Sequence, residues 1–310
     1  MGDYGAPLFL AWQLTNKCTG SCLHCCEESG PDKAWKDELS RSQALNLARQ
    51  IADMGIAYVA FGGGEPMECP HVFQIFEILA AGGVEIKIET NGLAIDDRVA
   101  NKLKALNVAC VQISIDGAAA GTHEKLRPGS GYQPALDAID RLADRGLEPE
   151  LVFIPTKINV SEAANVYELA AKHAVRTFVT GPMMRLGRGA LAWDTLAASD
   201  EQWALAVQAL QESAKRHANK PRLAVYPWGI QHEMATRAES PQAMMLVVPN
   251  GKVKLLNALP FSVADLKKET LAQAWPKVAA AWKNPKVLDF VKRAQTDTEL
   301  LTHANECWEI

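Results

Sequence analysis

An α/β fold is predicted by two features of this chain. From residue 8 to about residue 180, short apolar runs alternate with longer stretches of helical periodicity, which is the order of a parallel sheet covered by helices. The alternation gives six βα units, fewer than the eight that close a barrel. We therefore expect a partial (β/α)6 TIM barrel, open on one side, with its active site at the carboxyl ends of the strands.

Six segments have the composition of buried strands. They are continuous or nearly continuous in apolar residues, as expected when both faces of a sheet are covered. The predicted strands are 8–15, 58–61, 84–90, 109–115, 150–154 and 176–180.

The helices between these strands have recognisable ends. Ser40 and Gln43 form a capping box before a helix that Gly55 ends. A second capping box, Ser199 with Gln202, begins the helix of the sixth unit.

The alternation stops near residue 220, which divides the chain into a predicted barrel, 1–220, and a small α+β extension, 221–310. The segment 221–242 is expected to be irregular. Residues 244–256 predict a β-hairpin around an Asn-Gly turn. Two helices, 270–282 and 285–294, follow it.

The composition is that of an ordinary globular protein, with 48% hydrophobic and 22% charged residues. A formal net charge of −4 gives no reason to expect nucleic acid or an anionic membrane as a partner. The apolar stretch 7–14 is too short for a signal peptide core with a cleavage site, and no basic segment precedes it. We therefore expect a cytoplasmic protein with no nucleic-acid and no membrane partner.

Three of the seven cysteines lie close together after the first predicted strand. Cys18, Cys22 and Cys25 form a C-x3-C-x2-C array (the cysteine array) without a fourth cysteine placed to complete a four-thiolate site. Thiolates select zinc or iron–sulfur clusters, and a four-iron cluster held by three of them keeps one iron open. The array therefore favours a reactive cluster over a structural site.

Other interpretations of the array remain open. Cys26 or His24 could complete a zinc site, although both neighbour Cys25, and adjacent side chains rarely converge on one tetrahedral ion. The thiols could also be ordinary buried small residues. Disulfides are disfavoured because a reducing compartment keeps thiols free.

The second predicted strand ends in the sequence Gly62-Gly63-Gly64-Glu65-Pro66 (the glycine run). Glycines let a backbone come close to a ligand, and a neighbouring carboxylate can hold an ammonium group. A nucleotide-phosphate loop is the competing interpretation. The spacing is not G-x-G-x-x-G, and no Lys-Ser or Lys-Thr pair follows, so we expect an ammonium-binding loop.

Taken together, these motifs resemble the radical S-adenosylmethionine (radical SAM) superfamily. The cysteine array matches its cluster motif, with His24 where an aromatic residue is usual, and the glycine run matches its second motif. Segments 86–92 and 111–117 are similar to the third and fourth strands of the subgroup that contains peptide maturases and the haem and quinone cofactor enzymes.

The resemblance implies one [4Fe–4S] cluster, with S-adenosylmethionine (SAM) on the fourth iron through its methionyl amine and carboxylate. Glu65 would face that amine. Ser114 would contact the ribose or the carboxylate, or be a strand serine bonded to backbone. Arg127 would pair with the carboxylate or lie in solvent. The implied cluster ligands and catalytic residues are Cys18, Cys22 and Cys25, and the implied cofactor-binding residues are His24, Gly63, Gly64, Glu65, Asn91, Ser114 and Arg127.

Two of the remaining polar residues have divided interpretations. Asn91 is an adenosine neighbour or a turn residue, and the turn is favoured. Arg188, after the sixth strand, is similarly a ligand contact or a surface residue.

The C-terminal segment departs from the family pattern. Residues 244–261 resemble the hairpin of the SPASM and twitch extensions, where a cysteine normally follows the turn and helps to bind an auxiliary cluster. Leu255 and Leu256 occupy that place. We therefore expect a degenerate extension and a single cluster. The other cysteines, Cys26, Cys69, Cys110 and Cys307, are scattered.

The activity implied by the resemblance is reductive cleavage of SAM, with an electron from a flavodoxin or ferredoxin. The resulting 5′-deoxyadenosyl radical removes a hydrogen from the substrate. Similarity to peptide maturases favours a ribosomally made precursor peptide (a RiPP), modified by epimerisation, a crosslink or backbone excision. Only seventeen residues precede Cys18, so we expect that a separate peptide-recognition protein delivers the peptide or that the C-terminal appendage binds it.

Two alternatives are kept. One is a radical SAM enzyme of small-molecule or cofactor biosynthesis, acting on a tetrapyrrole or a sugar. The other is a non-enzymatic iron–sulfur electron carrier, against which the intact cysteine array and Glu65 argue.

Overall fold

The computed structural model describes residues 4–218 and 220–310. Within them the strands form one eleven-stranded sheet. In chain order β1 to β11 are Phe9–Thr15, Tyr58–Gly63, Glu85–Thr90, Cys110–Ser114, Glu150–Phe153, Thr177–Thr180, Arg222–Val225, Met244–Val247, Lys252–Lys254, Phe261–Asp265 and Trp308–Glu309.

Helices cover the outside of this sheet. The helices α1 to α12 are Arg41–Asp53, Val72–Ala81, Asp97–Ala105, Ala120–Leu126, Tyr132–Ala143, Ala163–Lys172, Gly187–Leu191, Trp193–Leu196, Asp200–Arg216, Ile230–Glu239, Leu271–Ala281 and Pro285–Ala294. Short 3-10 helices lie at Pro66–Glu68, Val160–Glu162 and Thr298–His303. None of the described helices is both long and apolar enough to cross a membrane.

The predicted partial barrel is confirmed. Strands β1 to β6 pair in parallel in chain order, so their carboxyl ends meet at one mouth of the barrel. Both predicted capping boxes, at Ser40 and at Ser199, are formed. Each holds the first turn of a helix, α1 or α9, that packs on the outside of the sheet.

The segment 221–242, expected to be irregular, contains ordered elements. It forms strand β7, which pairs in parallel with β6, and then helix α10. The expectation was wrong because β7 has only four residues, lies at the edge of the sheet and is partly exposed. Such a strand lacks the apolar run that marks the buried strands.

The predicted hairpin and both C-terminal helices are confirmed. β8 and β9 pair antiparallel, and helices α11 and α12 lie within one residue of the predicted bounds. β8 also pairs in parallel with β1, so the extension continues the barrel sheet beyond its first strand. The division at residue 220 stays a prediction, although the hydrogen-bonded sheet runs through both parts.

The two faces of the sheet differ in chemistry. On the outer face, Trp12 of β1 packs on Phe61 of β2, which contacts Phe76 of α2, with ring centroids 5.7 and 5.0 Å apart. These side chains are fully buried, and each contributes roughly 1.5–3 kcal/mol of transfer free energy. Because side chains alternate along a strand, the neighbours Gln13 and Gly62 face the barrel interior.

Candidate active site

One cavity of about 280 Å³ lies at the carboxyl ends of the barrel strands. It is lined by all of the residues that the sequence predicts for the site, contributed by the loops after β1, β2, β3 and β4 and by the strand ends themselves. These residues are Cys18, Cys22, His24, Cys25, Gly63, Gly64, Glu65, Asn91, Ser114 and Arg127.

The cysteine array lies in the loop 16–30 (the cysteine loop), whose shape is set by hydrogen bonds. Its two ends meet where Cys18 N donates to Gly30 O at 3.0 Å. Arg188 spans the loop, because its Nε donates to Cys22 O at 2.8 Å and its Nη2 donates to Ser29 O at 2.5 Å. In the described part of the chain every cysteine is a free thiol, so no disulfide restrains the loop.

Two of the sulfurs flank a glycine of the loop. A Cβ built on Gly20 would lie 3.7 Å from Cys18 Sγ and 3.6 Å from Cys22 Sγ. Burial raises the pKa of Cys18 to about 12 and also raises the pKa of Cys25, the latter against the opposing charge of Arg188. These thiols therefore stay protonated until a metal displaces the proton, as thiolate ligation requires.

The glycine run serves the packing of two backbones. A Cβ on Gly63 would lie 2.8 Å from Thr15 O, and a Cβ on Gly64 would overlap Lys17 O. Gly64 N donates to Thr15 O at 2.7 Å, and Glu65 N donates to Lys17 O at 2.8 Å. The close approach expected for a ligand is thus made by the end of β1 and the start of the loop 16–30. Both glycines also line the cavity.

Glu65 is a buried carboxylate, 2% exposed. Its Oε1 accepts from Thr90 Oγ1 at 2.7 Å and from Met67 N at 3.1 Å, and its Oε2 accepts from Asn91 N at 2.8 Å. Burial raises the pKa of Glu65 to about 7 despite these hydrogen bonds. Since Oε2 has a single donor, one lone pair remains for a cation in the cavity.

Asn91 combines the two roles that the sequence left open. Its Oδ1 accepts from Leu93 N at 2.9 Å, which is a turn contact. Its Nδ2 is buried at the cavity without a partner among the described residues. A buried amide that lacks a partner is costly, so this group fits a ligand that brings an acceptor. Ser114 lies at the end of β4 and also lines the cavity.

Asp116, which the sequence analysis missed, is fully buried behind the cysteine loop. Its Oδ2 lies 3.0 Å from His24 Nε2 and 2.5 Å from Arg127 Nε, and its Oδ1 accepts from Ile154 N at 2.8 Å. Burial alone would raise the pKa of Asp116, but Arg127 and His24 hold it well below its usual range. The one available signal was an Asp-Gly pair directly after a strand.

This contact defines what His24 and Arg127 do within the chain. Arg127, predicted to pair with a ligand carboxylate, has Asp116 as its carboxylate, and its Nη1 donates to Cys22 Sγ at 3.6 Å. His24 uses Nε2 for Asp116 and lies fixed beside the cysteine array, so that nitrogen is not available to a zinc ion. Within the described residues, no three His, Cys, Asp or Glu side chains form a mononuclear metal site.

The C-terminal segment also reaches the cysteine loop. Asn305 Nδ2 donates to Cys26 O and to Glu28 Oε2, both at 3.0 Å. No sequence signal could have found this contact, because its partners are 279 residues apart. Leu255 and Leu256, at the place of an auxiliary-cluster cysteine, are 1% and 5% exposed and belong to the apolar core.

A family model described as the Radical SAM superfamily matches residues 12–170, more than half of the chain, including the cysteine array and the glycine run. The chain belongs to the radical SAM superfamily. The cofactors implied by this membership are a [4Fe–4S] cluster and SAM. The residues present fit them, since three thiols, a buried carboxylate with a free lone pair and an unpartnered Asn91 amide surround one cavity.

Similar proteins include a maturase and a heme synthase. The mycofactocin maturase MftC of Mycolicibacterium smegmatis is 33% identical over 198 residues, 64% of this chain and 50% of that protein. The AdoMet-dependent heme synthase of Methanosarcina barkeri is 29% identical over 186 residues, 59% of this chain and 53% of that protein. The chain thus spans about half the length of these curated relatives.

A solved structure confirms the fold over nearly the whole chain. Streptococcus suis SuiB bound to its precursor peptide SuiA matches with a TM-score of 0.74 and 13% identity, over 97% of this chain and 75% of that one. The match includes residues beyond 220, where the sequence alone was least informative.

Proposed function

We propose that this chain is a radical SAM enzyme that takes a hydrogen atom from a ribosomally made precursor peptide. One observation carries the proposal: the cysteine array and Glu65, from separate loops, line the same cavity. When bound, a cluster and SAM would supply an electron and a 5′-deoxyadenosyl radical. An electron carrier would have no need for a buried carboxylate with a free lone pair beside its thiols.

The residues of the chain divide the work. Cys18, Cys22 and Cys25 would hold one [4Fe–4S] cluster, and Glu65 would accept a hydrogen bond from the ammonium of SAM. Hydrogen bonds from Thr90, Met67 and Asn91 hold the carboxylate in a fixed orientation at the cavity, which supports this role. A bound ammonium would offset the burial that raises the Glu65 pKa and so hold the group ionised.

Further contacts would come from residues around the thiols. Asn91 Nδ2 would donate to an acceptor on the nucleoside, and Ser114 to the ribose or the methionyl carboxylate. Arg127 would neutralise charge beside Cys22 while Asp116 and His24 fix its position. The walls Val152, Ile154, Pro182 and Met184 would exclude water from a reactive radical.

A peptide substrate is supported by what similar proteins are. A maturase is the more similar of the two relatives described above, and a fold neighbour holds a precursor peptide. The open edge of the barrel at β7 leaves a side for a long substrate. Epimerisation, a crosslink and backbone excision all begin with the same hydrogen removal. The similarity to a heme synthase favours a second candidate, an enzyme acting on a tetrapyrrole or another small molecule.

The proposed reaction also needs an electron donor and a means of delivering the peptide. A flavodoxin or ferredoxin would supply the electron, because the cleavage is reductive. A separate recognition protein would deliver the peptide in the cytoplasm. Residues 1–220 would act as the catalytic barrel and residues 221–310 as a twitch-like extension with no second cluster, since Leu255 and Leu256 fill its place.

Two measurements test this proposal. Anaerobically reconstituted protein given dithionite and SAM should release 5′-deoxyadenosine, whereas a carrier would show cluster spectra and no release. Co-expression with each short peptide encoded beside its gene should then give a mass change in one peptide. Release of 5′-deoxyadenosine with no peptide changed would favour the small-molecule candidate. Replacing a cysteine of the array, as in Cys22→Ala, should abolish the release. Cys110→Ala is its matched control, because Cys110 is buried in β4 and does not line the cavity.

A further inference from the structure

One layer of side chains inside the barrel is polar, where closed barrels usually hold branched apolar residues. Glu89 of β3 lies opposite Gln112 of β4, which lies opposite Glu150 of β5. On the other side, Gln13 of β1 lies opposite Gly62 of β2. Gly62, Glu89 and Gln112 line the cavity, and we name these three residues the floor layer.

The floor layer lies deeper in the barrel than the predicted cofactor-binding residues. Glu89 and Gln112 come two residues before Asn91 and Ser114, on the same faces of β3 and β4.

Lys87 fixes the orientation of the Gln112 side chain. Its Nζ donates to Gln112 Oε1 at 2.8 Å. An ammonium group has donors only, so the amide oxygen must face Lys87 and the amide NH2 must point the other way. Gln112 is 8% exposed and lines the cavity, and no acceptor for its Nε2 is found within residues 4–218 and 220–310. The cavity floor therefore presents an unused N–H donor.

Glu89 provides an acceptor on the neighbouring strand. Its Oε1 lies 3.7 Å from Lys87 Nζ, and its Oε2 lies 3.3 Å from the position that a Cβ on Gly62 would take. Gly62 leaves space next to this carboxylate because it has no side chain. One lysine thus lies close to both polar groups, which belong to paired residues of neighbouring strands.

We infer that Glu89 and Gln112 form a subsite for an amide group of the substrate. Glu89 accepts a hydrogen bond from the amide N–H, and Gln112 Nε2 donates one to the amide C=O. The inference rests on the proposed function and deepens it, because a peptide carries this donor and acceptor pair at every residue. A carboxylate ligand would be repelled by Glu89, and a simple cation would leave Gln112 without a partner.

The test compares two small probes that differ in one donor. N-methylacetamide and methyl acetate have the same shape, but the ester has an oxygen in place of the amide N–H. Their binding to the reconstituted, unreduced, SAM-bound enzyme is measured by saturation-transfer NMR. We expect the amide to bind about tenfold more tightly than the ester, the effect of one well-placed hydrogen bond to a charged acceptor.

Three substitutions separate the parts of the subsite. Gln112→Glu keeps the size and the Lys87 contact but turns the donor into an acceptor, and should lower amide affinity about tenfold. Glu89→Gln should lower it less, because one orientation of the new amide still offers an oxygen. Lys87→Met frees the Gln112 amide to rotate and should lower it by a smaller factor still. This variant serves as the test if Gln112→Glu does not fold.

The matched control is Gln74→Glu. The Gln74 side chain also accepts from a cation, Arg41 Nε at 2.8 Å, but lies on an exposed face of α2. It should leave the affinity for both probes unchanged. Equal binding of amide and ester to the wild-type enzyme, or amide affinity that survives both Gln112→Glu and Lys87→Met, would overturn the inference.

The proposed function is tested separately in the same preparations. If the wild-type enzyme releases 5′-deoxyadenosine but shows no preference for the amide probe, the inferred subsite is wrong and the proposed radical chemistry stands. If it prefers the amide probe but releases no 5′-deoxyadenosine, the proposed radical chemistry is wrong and the amide-binding cavity stands.

Discussion

The segment 16–30, which follows β1, and the segment 255–260, which follows β9, both lead away from the same sheet. In the first, three thiols line a cavity. In the second, Leu255, Leu256 and Leu259 are buried in the apolar core. Both places correspond to cluster-binding positions in the pattern that the sequence resembles. Only the first leaves space beside its side chains, so only the first can bind a bulky group.

The two segments are also held in different ways. The cysteine loop is fixed by charged and polar contacts from Arg188, Asp116 and Asn305, which come from distant parts of the chain. The second segment is fixed by apolar packing. Substitutions in the first segment should therefore lower activity with little effect on the free energy of unfolding. Substitutions in the second should lower the free energy of unfolding with little effect on activity.

The largest effect is expected at Cys22. Cys22→Ala removes one cluster ligand, so bound iron should fall sharply and 5′-deoxyadenosine release should drop below detection, a loss of at least about a thousandfold in rate (at least about 4 kcal/mol). Iron analysis and anaerobic turnover measure this. The urea midpoint of the metal-free protein should stay close to that of wild type. Activity that persists in this variant would contradict the ligand assignment.

The opposite result is expected at Leu255. Leu255→Ala removes a side chain that is 1% exposed and leaves a cavity in the core, which should lower the free energy of unfolding by about 2–5 kcal/mol. Urea unfolding of the metal-free protein measures the loss. The folded fraction should still cleave SAM at the wild-type rate. A change under about 1 kcal/mol would show that this segment is not part of the core.

A pH dependence is expected from Glu65. Its pKa is about 7 in the folded chain because of burial, against an ordinary value of 4.5, so the folded state holds the proton more tightly. The stability of the cofactor-free protein should then be full below about pH 4.5 and fall as the pH rises through about 7, by up to about 3 kcal/mol. Glu65→Gln should remove this part of the dependence. Urea midpoints at pH 5 and pH 7.5 measure it, and identical slopes for both proteins would refute it.

The smallest effect is expected at Asn305. Asn305→Ala removes two hydrogen bonds to the cysteine loop, each worth about 0.5–1.5 kcal/mol. We expect a modest loss of stability and a few-fold faster loss of iron to a chelator. Asn101→Ala, which removes an exposed contact to Arg145, is the control. Equal rates in the two variants would mean that the C-terminal segment does not support the loop.

Much of the fold was predictable because its strands carry continuous apolar runs. β7 was missed because a short, partly exposed edge strand has no such run. The site residues were predictable as a group because the carboxyl ends of parallel strands meet at one place.

The supports of the site were not predictable from the sequence. Arg188 contacts Cys22 across 166 residues, and no local pattern encodes that distance. The glycine run was predicted to lie close to a ligand. In the structure its glycines lie closest to the backbone at Thr15 and Lys17, where β1 passes into the cysteine loop. The chemistry of a motif can therefore be predicted when its packing partner cannot.

The parallel pairing of β8 with β1 has a consequence for the integrity of the whole protein. β1 holds the start of the cysteine loop, and β8 covers the backbone donors and acceptors along its free side. A fragment that lost the last third of the chain would expose this apolar strand as an unprotected edge, which invites strand exchange between copies. By pairing with β1, strand β8 thus protects it from pairing with another copy of the chain.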